Sequence, residues 1–82
     1  MSGEIVEKVV RYVTEQIVDD AGSVTVEMVP DGDDAVMAEV RTAKSDMGRV
    51  IGRRGRVARS IRTLATAAGD EEGLDVQVEF LD

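Results

Sequence analysis

The apolar residues of this 82-residue chain change spacing several times, and that change restricts the fold more than any other feature. In some stretches they recur every three or four residues, as on one face of a helix, and in others they alternate with polar residues, as in a half-buried strand. In chain order, the spacing predicts a helix over about residues 4–20, strands over 24–28 and 36–41, a short helix over 46–51, a longer helix over 55–68 and a strand over 74–80.

Capping residues and turn residues suggest where these elements begin and end. Ser2 is expected to cap the first helix and Gly22 to stop it. Ser45 is expected to cap the second helix, and Gly69 to end the third. Residues 30–34, with one proline and one glycine, form a turn that would join the first two strands as an antiparallel pair.

The element order α-β-β-α-α-β predicts an α+β fold made of a single domain over residues 1–82. Each strand has one polar side, so the sheet is expected to carry all three helices on one face. The third strand follows helices and not a tight turn, which favours parallel pairing through a right-handed crossover. The expected sheet is therefore three-stranded and mixed.

The composition excludes most kinds of catalysis. The chain has no cysteine and no histidine, so it offers no thiolate nucleophile, no imidazole base and no Cys/His metal site. No catalytic residue, metal or cofactor is therefore expected, and the protein is predicted not to be an enzyme. The sequence shows no secretory signal pattern and no apolar run of about 20 residues, which predicts a cytoplasmic protein without a membrane span.

The charges are divided sharply along the chain. Residues 41–62 hold eight of the ten basic residues against one carboxylate, Asp46, for a net charge of +7. The remainder sums to −14. A polyanion would be repelled by most of this protein and attracted to one segment, which predicts nucleic-acid binding at that segment.

A short glycine-bracketed loop lies at the centre of the basic segment. Gly52-Arg53-Arg54-Gly55 joins the short and the longer predicted helix. The first amide groups and the positive dipole end of the longer helix, which follows the loop, would therefore face it. Glycines leave room for a phosphate backbone, and the two arginines can each donate two hydrogen bonds to phosphate oxygens. The spacing matches neither a dinucleotide fingerprint nor a nucleoside-triphosphate loop. The alternative is a plain structural turn in a protein-interaction or dimerisation module.

The segment Val50-Ile51-Gly52-Arg53-Arg54-Gly55-Arg56, between a short and a longer helix, resembles the K-homology (KH) domain. The element order resembles the type II arrangement of that domain. Residues 46–52 before the loop and 56–63 after it are similar to the KhpA family of bacterial RNA-binding proteins. The resemblance covers essentially the whole chain.

This resemblance implies a protein that clamps the backbone of single-stranded RNA with its GxxG loop, at about four nucleotides per domain. It implies an RNA chaperone or post-transcriptional regulator that acts in cell shape and cell-envelope control. It also implies a homodimer and, in many bacteria, a larger KH-containing partner of the KhpB type. Whether the ligand is RNA or single-stranded DNA stays open at this point.

Several side chains around the loop are candidates for contact with RNA. Arg49 and Arg56 would extend the phosphate track, and Lys44 would reach the nucleic acid from the end of the second strand. Val50 and Ile51 either line a groove for the bases or pack in the core. The candidate RNA-binding set is Gly52, Arg53, Arg54, Gly55, Arg49, Arg56, Val50, Ile51 and Lys44.

Other residues in the same region are expected to have structural roles. Arg59 and Arg62 are expected to form a solvated helix face, and Val40 to pack in the core. Aliphatic residues on the polar sides of the strands suggest a contact with another copy of the chain: Val29, Met37 and Leu81.

Overall fold

The computed structural model describes residues 3–82 and has the predicted order of elements. The helices are α1 (Glu4–Ile17), α2 (Met47–Ile51) and α3 (Arg56–Glu72), and the strands are β1 (Thr25–Pro30), β2 (Ala35–Arg41) and β3 (Asp75–Leu81). Short 3-10 turns occupy Ala21–Ser23, Lys44–Asp46 and Arg53–Gly55. The predicted α+β class is confirmed. The expected cap at Ser2 lies outside the described residues.

The strands form one mixed sheet in the order β1-β2-β3. β1 pairs antiparallel with β2, and β3 pairs parallel with it, as the long connection between them predicts. Val40 of β2 lies between Val26 and Phe80, and this row belongs to the face that α1 and α3 cover. Because side chains alternate between faces, the row centred on Glu39 lies on the opposite, open face.

That open face carries three glutamates in register. Glu27 pairs with Glu39 across the antiparallel strands, and Glu39 pairs with Glu79 across the parallel ones. Like charges directly opposite one another weaken a sheet, so the packing on its other face has to offset this repulsion.

Aliphatic side chains from all the major elements form the core. α1 packs against α3 and the sheet, while α2 packs mainly against α3. Ile61 is the largest fully buried side chain. The cluster is made of Val6, Val10, Val18, Val24, Val26, Ala38, Val40, Val50, Ile61, Ala65, Ala68 and Val78. Aliphatic side chains at the edges of the predicted helical stripes, Ile5 and Leu64, are exposed instead of buried.

α1 ends earlier than its sequence predicts. The helix stops at Ile17, because Val18 turns into an extended conformation and buries its side chain in the core. Gly22, the expected stop, lies five residues after Ile17 in a 3-10 turn. Ser45 lies in another 3-10 turn and does not cap α2, whose N-cap position is held by Asp46 without a side-chain capping bond.

α3 continues through Gly69, which was expected to end it, and stops at Glu72. The glycine is needed for packing, because a Cβ there would lie 2.4 Å from the Val76 side chain and 2.7 Å from the Leu74 carbonyl oxygen. Gly73, with φ of 69°, is the residue that ends the helix. Glu72 then accepts hydrogen bonds from the first amides of α1, so the end of α3 caps the start of α1.

The sequence led us to expect neither a membrane-spanning helix nor a metal site, and the structure describes residues 3–82 in both respects. No helix between residues 3 and 82 is long and apolar enough to cross a membrane. Over the same residues, no group of three or more acidic, histidine or cysteine side chains is arranged to hold a metal ion.

Candidate nucleic-acid interface

The loop between α2 and α3 begins with a glycine that no other residue can replace without rearrangement. Gly52 has φ of 76° and ψ of 172°, a conformation that is essentially restricted to glycine. A Cβ at this position would lie 2.5 Å from the nearest Val57 side-chain carbon and 2.8 Å from the Val57 amide nitrogen. Gly52 therefore brings the end of α2 into direct contact with the first turn of α3.

The second half of the loop has two consecutive residues in the left-handed region. Arg54 has φ of 58° and Gly55 has φ of 73°. Arg54 is the only non-glycine residue with positive φ among residues 3–82. An ordinary side chain in this conformation costs about 1–2 kcal/mol, and such strain is found most often at functional sites. A Cβ at Gly55 would meet nothing within 4 Å, so only the backbone conformation requires glycine there.

The backbone amides that face outward from the loop differ from those that the sequence predicts. The first amides of α3, the helix after the loop, were expected to be free. The structure instead shows that the Gly55 amide donates to the Gly52 carbonyl at 3.1 Å and that the Arg56 amide donates to the Arg53 carbonyl. The amides of Arg53 and Arg54 open the 3-10 turn and have no acceptor within it, and Gly52 before them belongs to no helix or turn that would bond them to α2. The unoccupied donors therefore belong to the two loop arginines themselves.

The structure separates the candidate residues into exposed cations and buried apolar side chains. The exposed cations are Lys44, Arg49, Arg53, Arg54 and Arg56. Val50 is fully buried in the core cluster, as is Val40, so neither side chain has surface to offer a base. Ile51, directly before Gly52, is 36% exposed and is the apolar candidate that remains accessible beside the loop.

Arg49 is already bound by two carboxylates. Its Nη2 atom lies 2.9 Å from Oδ2 of Asp19, and its Nε atom lies 3.3 Å from Oδ1 of Asp46. The Asp19 side chain is 77% exposed and that of Arg49 is 54% exposed, whereas that of Asp46 is buried. The buried carboxylate of Asp46 thus orients the guanidinium through Nε, and the exposed carboxylate of Asp19 contacts its Nη2 atom.

Asp46 is the structural residue of this site that the sequence analysis missed. Its two carboxylate oxygens accept the backbone amides of Asp19 and Asp20, each at 3.1 Å, and thereby tie the segment after α1 to the start of α2. The amide of Asp19, with that of Asp20 and the charge of Arg49, outweighs burial and holds the pKa of Asp46 below its usual value. The sequence signal for this structural role was a single carboxylate within the strongly basic segment 41–62, directly before a short helix.

Arg62 is exposed, as expected of a solvated helix face, but its side chain also contacts β3. Its Nε atom donates to the Val78 carbonyl of β3 at 3.2 Å, and its guanidinium carbon lies 5.5 Å from the centre of the Phe80 ring. Both contacts stabilise the packing of α3 on the outer edge of β3. Arg59 remains exposed.

Comparison with known proteins gives one consistent result. A family model described as KhpA/KhpB, KH domain, matches residues 7–80. A protein of Borreliella burgdorferi named RNA-binding protein KhpA is 36% identical over 75 residues, which cover 92% of this chain and 90% of the relative. A protein of the same name from Treponema pallidum is 36% identical over 76 residues, covering 93% and 94%. No solved structure matches significantly.

Proposed function

This chain belongs to the KhpA/KhpB family of KH domains, and on that premise we propose that it is a non-enzymatic protein that binds single-stranded RNA through the loop at residues 52–55. The relatives described above carry the name RNA-binding protein. The loop would hold phosphate groups of the RNA backbone, and the exposed side chain of Ile51 would lie beside the bases. The protein would act in the cytoplasm.

One observation carries this proposal: the unbonded amides of Arg53 and Arg54 are next to the exposed guanidinium groups of the same residues. Backbone amides and guanidinium groups are the donors that most often bind phosphate oxygens. The strained backbone at Arg54 exposes those donors in a single 3-10 turn. The eight basic residues of segment 41–62 lie within this turn or on both sides of it in the sequence. Their positive charge favours the binding of an RNA strand there.

The proposal predicts that changing Arg53 and Arg54 to aspartate abolishes RNA binding. Both side chains are exposed, so the double variant should unfold at nearly the same denaturant concentration as the wild type. Binding is measured by fluorescence polarisation with a labelled pool of single-stranded RNA of random sequence, at low and moderate salt. If about four phosphates are neutralised, log affinity should fall against log salt with a slope of about −3.

The chain offers a matched control for this charge reversal. Changing Lys8 and Arg11 to aspartate alters the net charge by the same amount on α1, where Arg11 forms only a surface ion pair with Glu7. This control should retain most of the affinity. Equal affinity of the folded loop variant and the control would contradict the RNA clamp and favour a protein-interaction module. The same titration with single-stranded DNA tests the role of the 2′-hydroxyl groups.

A homodimer is part of the proposal. The exposed large apolar side chains on the outside of the helices support it, because Ile5 and Tyr12 lie seven residues apart on α1, and Leu64 lies on α3, which packs against α1. Exposed apolar residues on neighbouring helices of a small domain are typical of protein contacts. Val29, Met37 and Leu81, on which the expectation first rested, are only half-buried on the open sheet face.

The broader roles rest on family membership. We propose that the protein is an RNA chaperone or post-transcriptional regulator, that it pairs with a KhpB-type protein, and that it contributes to cell shape and cell-wall biogenesis. The name of the family, which joins KhpA and KhpB, supports the choice of partner. A single domain with few aromatic side chains would bind RNA weakly, so a dimer or partner would raise its affinity by linking two sites.

A further inference from the structure

We propose that Asp19 is an intramolecular competitor of RNA, which occupies the outer edge of the Arg49 guanidinium and lowers the affinity of the interface. The inference rests on the proposed function, since it concerns the same basic surface. It differs in assigning to an acidic residue outside the basic segment a direct role in setting the strength of RNA binding.

The geometry of the Arg49 contacts distinguishes the two carboxylates. Asp46 is buried and accepts two backbone amides besides the Nε atom of Arg49, so it is part of the framework. Asp19 has a different position: its backbone amide is held by Asp46, but its own side chain is exposed and contacts Nη2 of Arg49 at 2.9 Å. The Asp19 carboxylate oxygen in that position occupies a donor that a phosphate oxygen could also accept.

The position of Arg49 places this ion pair next to the loop. Arg49 lies in the last turn of α2, three residues before Gly52 at the start of the loop. An RNA strand held at Arg53 and Arg54 can therefore extend to Arg49 through a neighbouring phosphate. A phosphate that takes the position of the Asp19 carboxylate at Nη2 displaces it, while Asp46 keeps the guanidinium oriented through Nε. Asp19 thus reduces affinity in proportion to the strength of its own ion pair.

The test is a comparison of Asp19→Asn with Asp20→Asn. The two substitutions remove the same charge from adjacent exposed residues, but Asp20 accepts a hydrogen bond from Ser23 and does not contact Arg49. Exposed ion pairs are weak, so Asp19→Asn should tighten binding of the labelled random RNA pool by about two- to fivefold. Asp20→Asn should produce only the smaller gain that follows from removing one negative charge from the surface.

A second pair of variants shows whether Arg49 is responsible for the gain. In an Arg49→Met background, adding Asp19→Asn should have no more effect than adding Asp20→Asn, because the competed site is gone. The inference is overturned if the two asparagine variants bind equally well, or if the gain from Asp19→Asn persists without Arg49. If the wild type and the Arg53/Arg54 double variant bind RNA equally, the proposed function itself fails, which is a separate result.

Discussion

At Gly52 the space that a side chain would need is already filled by Val57, whereas at Gly55 it is empty. The two glycines of the loop therefore have different physical roles, although they look equivalent in the sequence. Gly52 allows the two helices to approach closely, and Gly55 only permits a left-handed backbone. Substitution should separate these roles.

We expect Gly55→Ala to destabilise the protein by about 1–2 kcal/mol, the usual cost of placing a side chain in the left-handed region. Gly52→Ala should cost more, because the new methyl group also collides with Val57 and forces α2 away from α3. Urea unfolding of both variants measures the difference. Gly55→Asn is the control, since asparagine tolerates this conformation better and should lose less stability than alanine. Equal losses at the two positions would mean that the Gly52 contact relaxes without cost.

The loop also shows what single residues reveal in a sequence and what they do not. The positions of the glycines and arginines predicted a loop between two helices, which the structure has, while the binding of an anion by this loop stays a prediction. The sequence did not predict which backbone amides of the loop would be free, because the 3-10 turn at residues 53–55 uses the amides of Gly55 and Arg56 in its own hydrogen bonds. Hydrogen bonding of that kind depends on the φ and ψ values of Arg54, which residue type alone would not suggest.

Among the elements, the link between α1 and α2 depends on Asp46. Its carboxylate holds the amides of Asp19 and Asp20, so the segment after α1 and the helix before the loop are fastened together. The folded protein has a lower pKa at Asp46 than the unfolded chain does. Its ionised form therefore stabilises the fold at pH values above the unfolded pKa of about 3.9, and this contribution is lost as pH falls through the folded pKa.

Asp46→Asn should lower the thermal midpoint at neutral pH by several degrees, because the asparagine side chain has a single accepting oxygen and only one of the two backbone amides would keep its acceptor. The gap between wild type and variant should narrow as the pH falls below about 4. Thermal unfolding followed by circular dichroism across this pH range measures the gap. Asp33→Asn, in the exposed turn before β2, is the control and should remain close to the wild type throughout. A constant gap at all pH values would exclude ionisation of Asp46 as the source.

At the same scale, the sequence predicted the kinds of element well and several of their ends poorly. The alternation of apolar residues identified all three strands, since one side of the sheet is buried throughout. The end of α3 was misplaced because Gly69 resembles a helix terminator, whereas its actual role is to let β3 approach the helix. The end of α1 was misplaced because tertiary contacts at Val18 and Asp46 stop the helix before any local signal occurs.

For the whole molecule, the proposed homodimer makes a prediction about the outer side of the helices. Leu64 is 45% exposed on α3, so Leu64→Glu should destabilise a monomer by only about 1 kcal/mol, about half the value of a fully buried leucine. In a dimer that buries Leu64, the same charge should weaken association at least tenfold. Sedimentation equilibrium measures the association constant, and the single tyrosine, Tyr12, is 64% exposed on α1 and provides a fluorescence signal.

Thr66→Glu is the matched control for the dimer, because it places the same charge on an exposed position of α3. It should leave association nearly unchanged. If Leu64→Glu associates as well as Thr66→Glu, a dimer through this surface is excluded. If neither variant nor the wild type associates at any accessible concentration, the protein is a monomer and the proposed avidity must come from a second protein.

The three glutamates in register on the open face of the sheet have a consequence for the behaviour of many copies together. Two such faces brought into contact would place six carboxylates in one thin, dehydrated layer, which desolvation and like-charge repulsion strongly oppose. Crowded copies of this protein are thereby kept from stacking sheet upon sheet into fibrils, at the cost of some repulsion within each molecule. The row of glutamates on the open face therefore opposes aggregation of the protein.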